Sequence, residues 1–119
     1  MITDHIVEPV SRLFKLLNDP NRLRILLAIG KDSRPVSEIM QETGLAQTLV
    51  SFHLRPLRES GMLAAERRGP FVYYRVTEPR LIDLLASLAG VPLKDGESEE
   101  LEFPFPPMGF MRRWMRGGE

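Results

Sequence analysis

The arrangement of residues 36–76 constrains the fold of this chain more than any other feature. An apolar pattern with helical spacing ends at Gly44, and a second, longer one ends at Gly61. Two further runs flank Gly69 and Pro70, and the second of these is rich in strand-favouring side chains. We therefore predict, in this order, a short helix, a tight turn, a longer helix and a β-hairpin.

Two helical patterns precede this region and one follows it. Residues 4–17 carry a single apolar stripe, whereas the pattern that starts at Pro20 is apolar nearly all round and is predicted to lie in the core. Thr77 is predicted to cap a last helix, whose apolar surface exceeds what one small core requires. The fold is therefore predicted to be mainly α-helical with a small β-hairpin, and the surplus apolar surface predicts a dimer.

The 119 residues are enough for one small domain and too few for two independent cores. We predict that residues 1–90 form this domain and that residues 91–119 form a tail, first acidic and then rich in proline and aromatic residues. The 16 basic and 16 acidic side chains balance overall. Basic residues nevertheless outnumber acidic ones over residues 46–76, and the reverse holds over residues 93–102.

The predicted order of elements is that of a winged helix-turn-helix, a DNA-binding fold whose second helix enters the major groove. The longer helix uses its apolar residues for the core and leaves a polar face exposed. This face and the turn of the hairpin, the wing, supply the predicted DNA contacts, which are Gln47, Thr48, Ser51, Phe52, Arg55, Arg67 and Arg68.

These side chains differ in what they can recognise. Gln47, Thr48 and Ser51 can hydrogen-bond to bases or phosphates, and Arg55 suits guanine or phosphate. The wing arginines are expected on phosphate or in the adjacent minor groove, where they add salt-dependent affinity. Two interpretations are open for Phe52. It either packs on a thymine methyl group or turns inward if Pro56, one helical turn later, distorts the helix.

Three segments in the same order and spacing, NDPNRLRILLAI, EIMQETGLAQTLVSFHLRPLRESGML and RRGPFVYYRV, resemble the ArsR/SmtB family of bacterial winged-helix repressors over about residues 10–90. The resemblance implies a homodimer on a palindromic operator that blocks transcription until an effector releases it. It also places His53 where the family has a histidine in its recognition helix, so His53 is predicted to be a DNA contact or a structural residue rather than a metal ligand. The implied dimer contacts lie on the first and last helices and are Ile6, Val10, Leu13, Phe14, Leu81, Leu84, Leu85 and Leu88.

The sequence departs from the family at its usual metal sites. Pro35 and Ser37 stand where many members have cysteines beside the third helix, and the chain contains no cysteine. The last helix has Asp83 and no histidine, so the zinc site of other members is not expected either. Ala46 replaces the serine that commonly caps the recognition helix. We therefore predict no cofactor.

One further set of residues, Asp4, His5 and Glu8, could offer oxygen and nitrogen ligands to a metal ion within one helical turn. The helix macrodipole is sufficient to explain carboxylates at a helix N-terminus, and we favour that interpretation. A metal site at His5 is therefore kept only as an alternative.

Other functional classes are disfavoured by what the sequence lacks. No catalytic triad, phosphate-binding loop or paired-carboxylate site is recognisable, so we predict that the protein is not an enzyme. With no signal peptide or long apolar run, we predict a cytoplasmic protein without stable membrane association. The alternatives are a winged-helix module that binds protein, and a repressor controlled by a small molecule or by a protein partner that docks on the tail.

The tail itself is unusually apolar for a solvated segment. Its large apolar side chains include Phe103, Phe105, Phe110, Trp114 and Met115. It is predicted to cover the dimer surface, while a disordered linker and a docking segment are the alternatives. The arginines around Trp114 could instead contact DNA or, weakly, an anionic membrane.

Overall fold

The structure is a computed structural model and describes residues 3–92. Within these residues the chain forms five helices and three short strands. In chain order they are α1 (Asp4–Leu17), α2 (Pro20–Ile29), β1 (Ser33–Pro35), α3 (Val36–Thr43), α4 (Gln47–Glu59), β2 (Leu63–Arg68), β3 (Phe71–Val76) and α5 (Arg80–Leu88). The predicted helix-turn-helix and the hairpin that follows it are both present, so the mainly α-helical winged fold is confirmed.

The boundaries of α2 follow from its first residues. Asp19 is extended, and its Oδ1 accepts hydrogen bonds from the backbone N–H groups of Asn21 (2.8 Å) and Arg22 (3.1 Å). These are two of the donors that a helix N-terminus leaves without intrahelical partners. Pro20 occupies the first helical position, where its missing N–H removes no hydrogen bond.

The turn between α3 and α4 depends on two residues. Gly44 has φ 74° and ψ 8°, the left-handed conformation that glycine adopts without a steric penalty. Thr43 Oγ1 donates to the carbonyl of Ile39 (2.7 Å) and accepts from the N–H of Leu45 (3.2 Å). As predicted, Ala46 provides no side-chain cap to α4, so the position of this helix depends on the turn and on packing.

The core is built mainly from the inner faces of α2, α3 and α4 and from the base of the hairpin. Its buried apolar residues are Leu17, Ile25, Leu26, Ile29, Ile39, Val50, Leu54, Leu57, Leu63, Val76 and Leu81. Burial of one such side chain contributes about 1.5–3 kcal/mol, so this layer fixes how the helix-turn-helix is held against the wing.

The hairpin belongs to a larger sheet than the sequence predicted. Residues 33–35, for which the sequence indicated no strand, form β1 and pair antiparallel with β3, so the strand order is β1-β3-β2. Ser33 lies opposite Arg75 and Pro35 opposite Tyr73. The added strand covers the edge of β3, which a two-stranded hairpin would leave exposed.

Two further local predictions were wrong. Leu27 of α2 is 50% exposed, so this helix is not buried on all sides. Thr77 does not cap α5, because its hydroxyl donates to the carbonyls of Gly61 (2.7 Å) and Met62 (3.1 Å) and ties the end of β3 to the start of β2. At the start of α5 the N–H of Arg80 donates instead to Glu78 Oε2 at 3.3 Å.

The described chain divides into a compact unit that ends at Ala86 and a second unit that begins at Ser87. Of the second unit, the structure describes the last two residues of α5 and the residues that follow it up to Pro92. The predicted acidic and aromatic tail segments lie outside the described residues. Between residues 3 and 92, no helix is both long enough and apolar enough to span a membrane.

Candidate DNA-binding surface

Helix α4 has two faces of opposite character. Val50, Leu54 and Leu57 are buried and fix the helix on the core. The other face is exposed and carries the polar side chains that the sequence placed there. Gln47, Thr48, Ser51, Phe52 and Arg55 all belong to the exposed set. The helix therefore presents an exposed surface, polar except for Phe52, over more than two of its turns.

His53 is the predicted DNA contact that does not belong to this surface. It is only 5% exposed and lies with Val50, Leu54 and Leu57 on the buried face. The prediction of a direct DNA contact is corrected, because a helical period of 3.6 residues places position 53 on the same side as positions 50, 54 and 57. The structural role, which the sequence left as the alternative, is the one that this position supports.

The surroundings of His53 connect α4 to the start of α2. Its Nε2 lies 3.9 Å from Asp19 Oδ1, the oxygen that caps α2. Burial lowers the pKa of His53 below its ordinary value; the charge of Asp19 acts in the opposite direction and that of Arg22 in the same direction. The imidazole is therefore predominantly neutral at pH 7 and packs against the capped end of α2.

Phe52 points outward. It is 68% exposed, and its ring meets that of His53 edge to face at a centroid distance of 5.2 Å. Helix α4 continues through Pro56 to Glu59, and Phe52 does not turn inward. Of the two interpretations, the structure therefore supports the outward one. A large apolar group thus lies in the middle of an otherwise polar face, where it is available for a thymine methyl group.

The two wing arginines lie on opposite faces of the hairpin. Arg67 pairs with Val72 and therefore shares a face with Tyr74, which packs on the core. Arg68 pairs with Phe71 and lies on the other face, with Tyr73. The sequence treated these two side chains as equivalent, but only Arg67 is on the face of the sheet that packs on the core.

Arg68 is also engaged within the wing. Its Nη2 donates to Glu66 Oε1 at 3.1 Å, and its guanidinium carbon lies 4.3 Å from the centroid of the Tyr73 ring. Within residues 3–92, no ion pair involves Arg67. The positive charge of Arg67 is therefore more available to a phosphate than that of Arg68.

A groove of about 400 Å³ separates α4 from the sheet. Its lining combines polar and charged groups of α4 with one side chain of β3: Ser51, Leu54, Arg55, Arg58, Glu59 and Tyr74. Arg58 is exposed and was missing from the predicted contacts, although it contributed to the basic character of residues 46–76. A phosphodiester strand that passes between the recognition helix and the wing would meet this side chain.

The first helix carries the apolar surface expected of a dimer contact. Ile6 is 62% exposed, Val10 40% and Phe14 54%, and Val7, which the sequence prediction omitted, is 44% exposed. Leu13 is partly buried against the core of its own protomer. Helix α1 therefore has a contiguous exposed apolar stripe along its length.

The residues predicted for the last helix separate into two groups. Leu81 is 7% exposed and belongs to the core, which corrects its assignment to the dimer surface, and Leu85 packs partly on that core. Leu84 is 47% exposed. Leu88 is 44% exposed and lies in the second unit.

The candidate metal ligands do not form a binding site within one protomer. In the part of the chain that the structure describes, no group of three histidine, aspartate or glutamate side chains is arranged to hold a metal ion. Asp4, His5 and Glu8 are all exposed on the first turns of α1. Their position is the one that the helix macrodipole favours for carboxylates.

Comparisons with known proteins identify relatives of this chain. The profile of the bacterial regulatory proteins of the arsR family matches residues 19–65. A probable mercury resistance operon repressor of Streptomyces lividans is 36% identical over 78 residues, which are 66% of this chain and 62% of that repressor. The biofilm growth-associated repressor of Xylella fastidiosa is 33% identical over 79 residues, which are 66% of this chain and 69% of that protein.

Solved structures show the same fold. The solution structure of a homodimeric winged helix-turn-helix DNA-binding domain from Mycobacterium bovis, described as a possible ArsR-family transcriptional regulator, superimposes with a TM-score of 0.63 at 31% identity. The match covers 72% of this chain and 82% of that domain. The regulator HlyU of Vibrio vulnificus superimposes with a TM-score of 0.66 at 27% identity, over 71% of this chain and 92% of HlyU.

Proposed function

The chain belongs to the ArsR family of bacterial regulatory proteins, and we propose that it represses transcription as a homodimer bound to a palindromic operator. The observation that carries this proposal is the exposed polar face of α4 beside the wing. Gln47, Thr48 and Ser51 offer hydrogen bonds to base edges, and Arg67 adds a cation with no ion-pair partner within residues 3–92.

The dimer is proposed from the apolar stripe on α1. Ile6, Val10 and Phe14 are exposed in one protomer, and large contiguous apolar surfaces of this kind are normally covered. Leu84 on α5 is exposed as well. A two-fold symmetric dimer that reads both half-sites in the major groove needs recognition helices about 34 Å apart, one turn of DNA, and its operator is then a palindrome.

The effector of this protein is proposed to differ from that of a thiolate metal sensor. The relative from Streptomyces lividans is described as a probable mercury resistance operon repressor. The 119 residues of this chain include no cysteine that could supply a thiolate ligand to a metal. A small molecule or a protein partner is proposed instead. We further propose that the protein acts in the cytoplasm, where bacterial DNA lies, and without catalysing a reaction.

Selection of bound duplexes from a random DNA pool tests the repressor function. The selected duplex is then titrated with the full chain at two salt concentrations, with and without a chelator. We expect a palindromic site of nanomolar to sub-micromolar affinity that weakens as salt rises. An effect of the chelator would support a metal at Asp4, His5 and Glu8.

Failure to enrich any duplex would contradict the repressor function. It would favour the alternative of a winged-helix module that binds protein. If an operator is found, truncation after Gly90 tests the tail. Loss of regulation with operator binding intact would support control by a partner that docks on the tail, and loss of the dimer would support a covering role.

A further inference from the structure

Arg55, an exposed arginine of the recognition helix, is held through one atom only. Arg55 Nε donates to Glu59 Oε2 at 3.1 Å, one helical turn further along α4. The two side chains are 80% and 66% exposed. Within residues 3–92, the terminal nitrogens Nη1 and Nη2 of Arg55 make no hydrogen bond. The guanidinium is thus oriented at its inner edge while both outer donors remain available.

A second exposed pair in the protomer shows how this geometry differs from an ordinary salt bridge. Arg80 donates to Glu78 through Nε at 2.8 Å and through Nη2 at 3.1 Å, so both oxygens of that carboxylate are used. That arrangement closes one side of the guanidinium. Arg55 and Glu59 share only the Nε contact, and a bidentate acceptor can still approach Arg55 from the end.

Helix stability does not account for Glu59. The residue is the last of α4, where the helix macrodipole disfavours a carboxylate. Ion pairs between exposed side chains also contribute little to folding stability. Glu59 therefore contributes little to the stability of α4, yet it lies beside the exposed polar face of the helix. We take this position to indicate that Glu59 orients Arg55.

The acceptor that suits this arrangement is guanine. Guanine O6 and N7 form a pair of acceptors in the major groove, and arginine recognises them with two parallel hydrogen bonds. These atoms have only partial negative charge, so they tolerate a neighbouring carboxylate. A phosphate has a full negative charge and would be repelled by Glu59 at short distance.

From this geometry we propose that Glu59 is a positioning residue that holds Arg55 for end-on recognition of guanine in the operator. The inference rests on the proposed DNA-binding function. It adds that guanine is the base recognised by Arg55 and that Glu59 orients Arg55 for this contact. Arg58 and Arg67 have no carboxylate partner within residues 3–92 and are assigned to phosphates.

The test measures affinities of the full chain for the selected operator and for a set of duplexes, each with one base pair of a half-site changed. Arg55→Gln is expected to reduce discrimination at one guanine position per half-site by about 5- to 150-fold. Glu59→Ala is expected to weaken binding to the operator by about two- to five-fold and to leave the duplex that lacks this guanine nearly unaffected.

Two further variants separate positioning from charge and from folding. Glu59→Gln keeps an oxygen that can accept from Arg55 Nε, so it is expected to retain most of the guanine preference. Glu78→Gln removes another exposed carboxylate, 54% exposed against 66% for Glu59, outside the reading face and is expected to change neither affinity nor base preference. Urea unfolding of each variant establishes that it is folded at the temperature of the binding assay.

Three results would overturn the inference. A similar gain in affinity for every duplex in Glu59→Ala would make Glu59 a competitor of DNA for Arg55. A uniform loss in Arg55→Gln, with a salt slope smaller by about 0.9, would assign Arg55 to a phosphate. If the wild-type chain bound no duplex, the proposed function would fail as well, whereas wild-type binding without these positional effects would refute this inference alone.

Discussion

Replacement of Phe14 by serine tests the proposed dimer contact on α1. Phe14 is 54% exposed in the protomer and lies on the apolar stripe with Ile6 and Val10. Its exposed part is available to a partner subunit, and serine at this position would present a small polar group instead. Phe14→Ser is therefore expected to weaken self-association more than it weakens the fold of the protomer.

The exposed fraction sets the size of this effect. A phenylalanine side chain buries about 150–250 Å² in a full contact, so about 100 Å² remains to be covered on each protomer. Two copies at about 25 cal/mol per Å² give an upper limit of about 5 kcal/mol for the dimer. We expect about 2–4 kcal/mol to be lost, which raises the dimer dissociation constant about 30- to 800-fold.

Sedimentation equilibrium over a range of protein concentrations measures this constant. Phe71→Ser is a matched control, because Phe71 is 56% exposed but lies at the turn of the wing. This variant should keep the wild-type dissociation constant. A dimer of unchanged affinity in Phe14→Ser, or an equal loss in both variants, would refute the assignment of the interface to α1.

Three other predictions concern the DNA contacts and the packing behind them. Arg67→Gln should weaken binding to all duplexes alike and reduce the salt slope by about 0.9. Arg68→Gln should weaken binding less, because its guanidinium already contacts Glu66 and Tyr73. Equal losses of affinity in the two variants would contradict the difference between the two faces of the wing. The lowered pKa of His53 means that the unfolded chain binds more protons than the folded chain between the folded pKa and about pH 6.5. The stability linked to His53 is therefore complete above this pH and is lost as the pH falls toward the folded pKa; urea unfolding at several pH values should show this loss, and a His53→Gln variant with the same pH profile would contradict it. Asp19→Ala removes two N-terminal hydrogen bonds of α2 and should lower the free energy of unfolding by about 1–2 kcal/mol, measured by urea unfolding at pH 7.5.

Long amphipathic patterns made most of the fold predictable. The boundaries of α1 agree with the predicted residues 4–17, because the apolar periodicity covers these residues. Strand Phe71–Val76 begins directly after the Gly69–Pro70 turn that the sequence indicated. Strand β1 was missed. It has only three residues and ends in proline, and it is a strand because the open edge of β3 accepts it. Such tertiary pairing leaves no periodic signal in so short a segment.

The errors in the candidate site have a common cause. His53 was predicted to contact DNA from the family resemblance, although Val50, Leu54 and Leu57 place position 53 on the buried side. Leu81 was assigned to the dimer for a similar reason. A leucine on an amphipathic helix packs equally well on its own core or on a partner, and residue type alone does not separate these two outcomes.

The relation between Arg55 and Glu59 could be anticipated only in part. A spacing of four residues on a helix predicts that the two side chains are neighbours. The sequence does not specify which nitrogen of the guanidinium donates to the carboxylate. This detail distinguishes a bidentate salt bridge from an arginine whose terminal nitrogens can still donate to guanine. The opposite faces of Arg67 and Arg68 depend likewise on the register of the hairpin.

An equilibrium competition measures most directly whether this protein reads DNA sequence. The full chain is titrated with the selected operator in the presence of a duplex of the same length and composition in which both half-sites are scrambled. The exposed face of α4 and the wing predict a preference for the operator of about 1,000-fold or more at physiological salt. Equal affinity for the two duplexes would contradict the central claim, because the charged wing alone would then account for all binding.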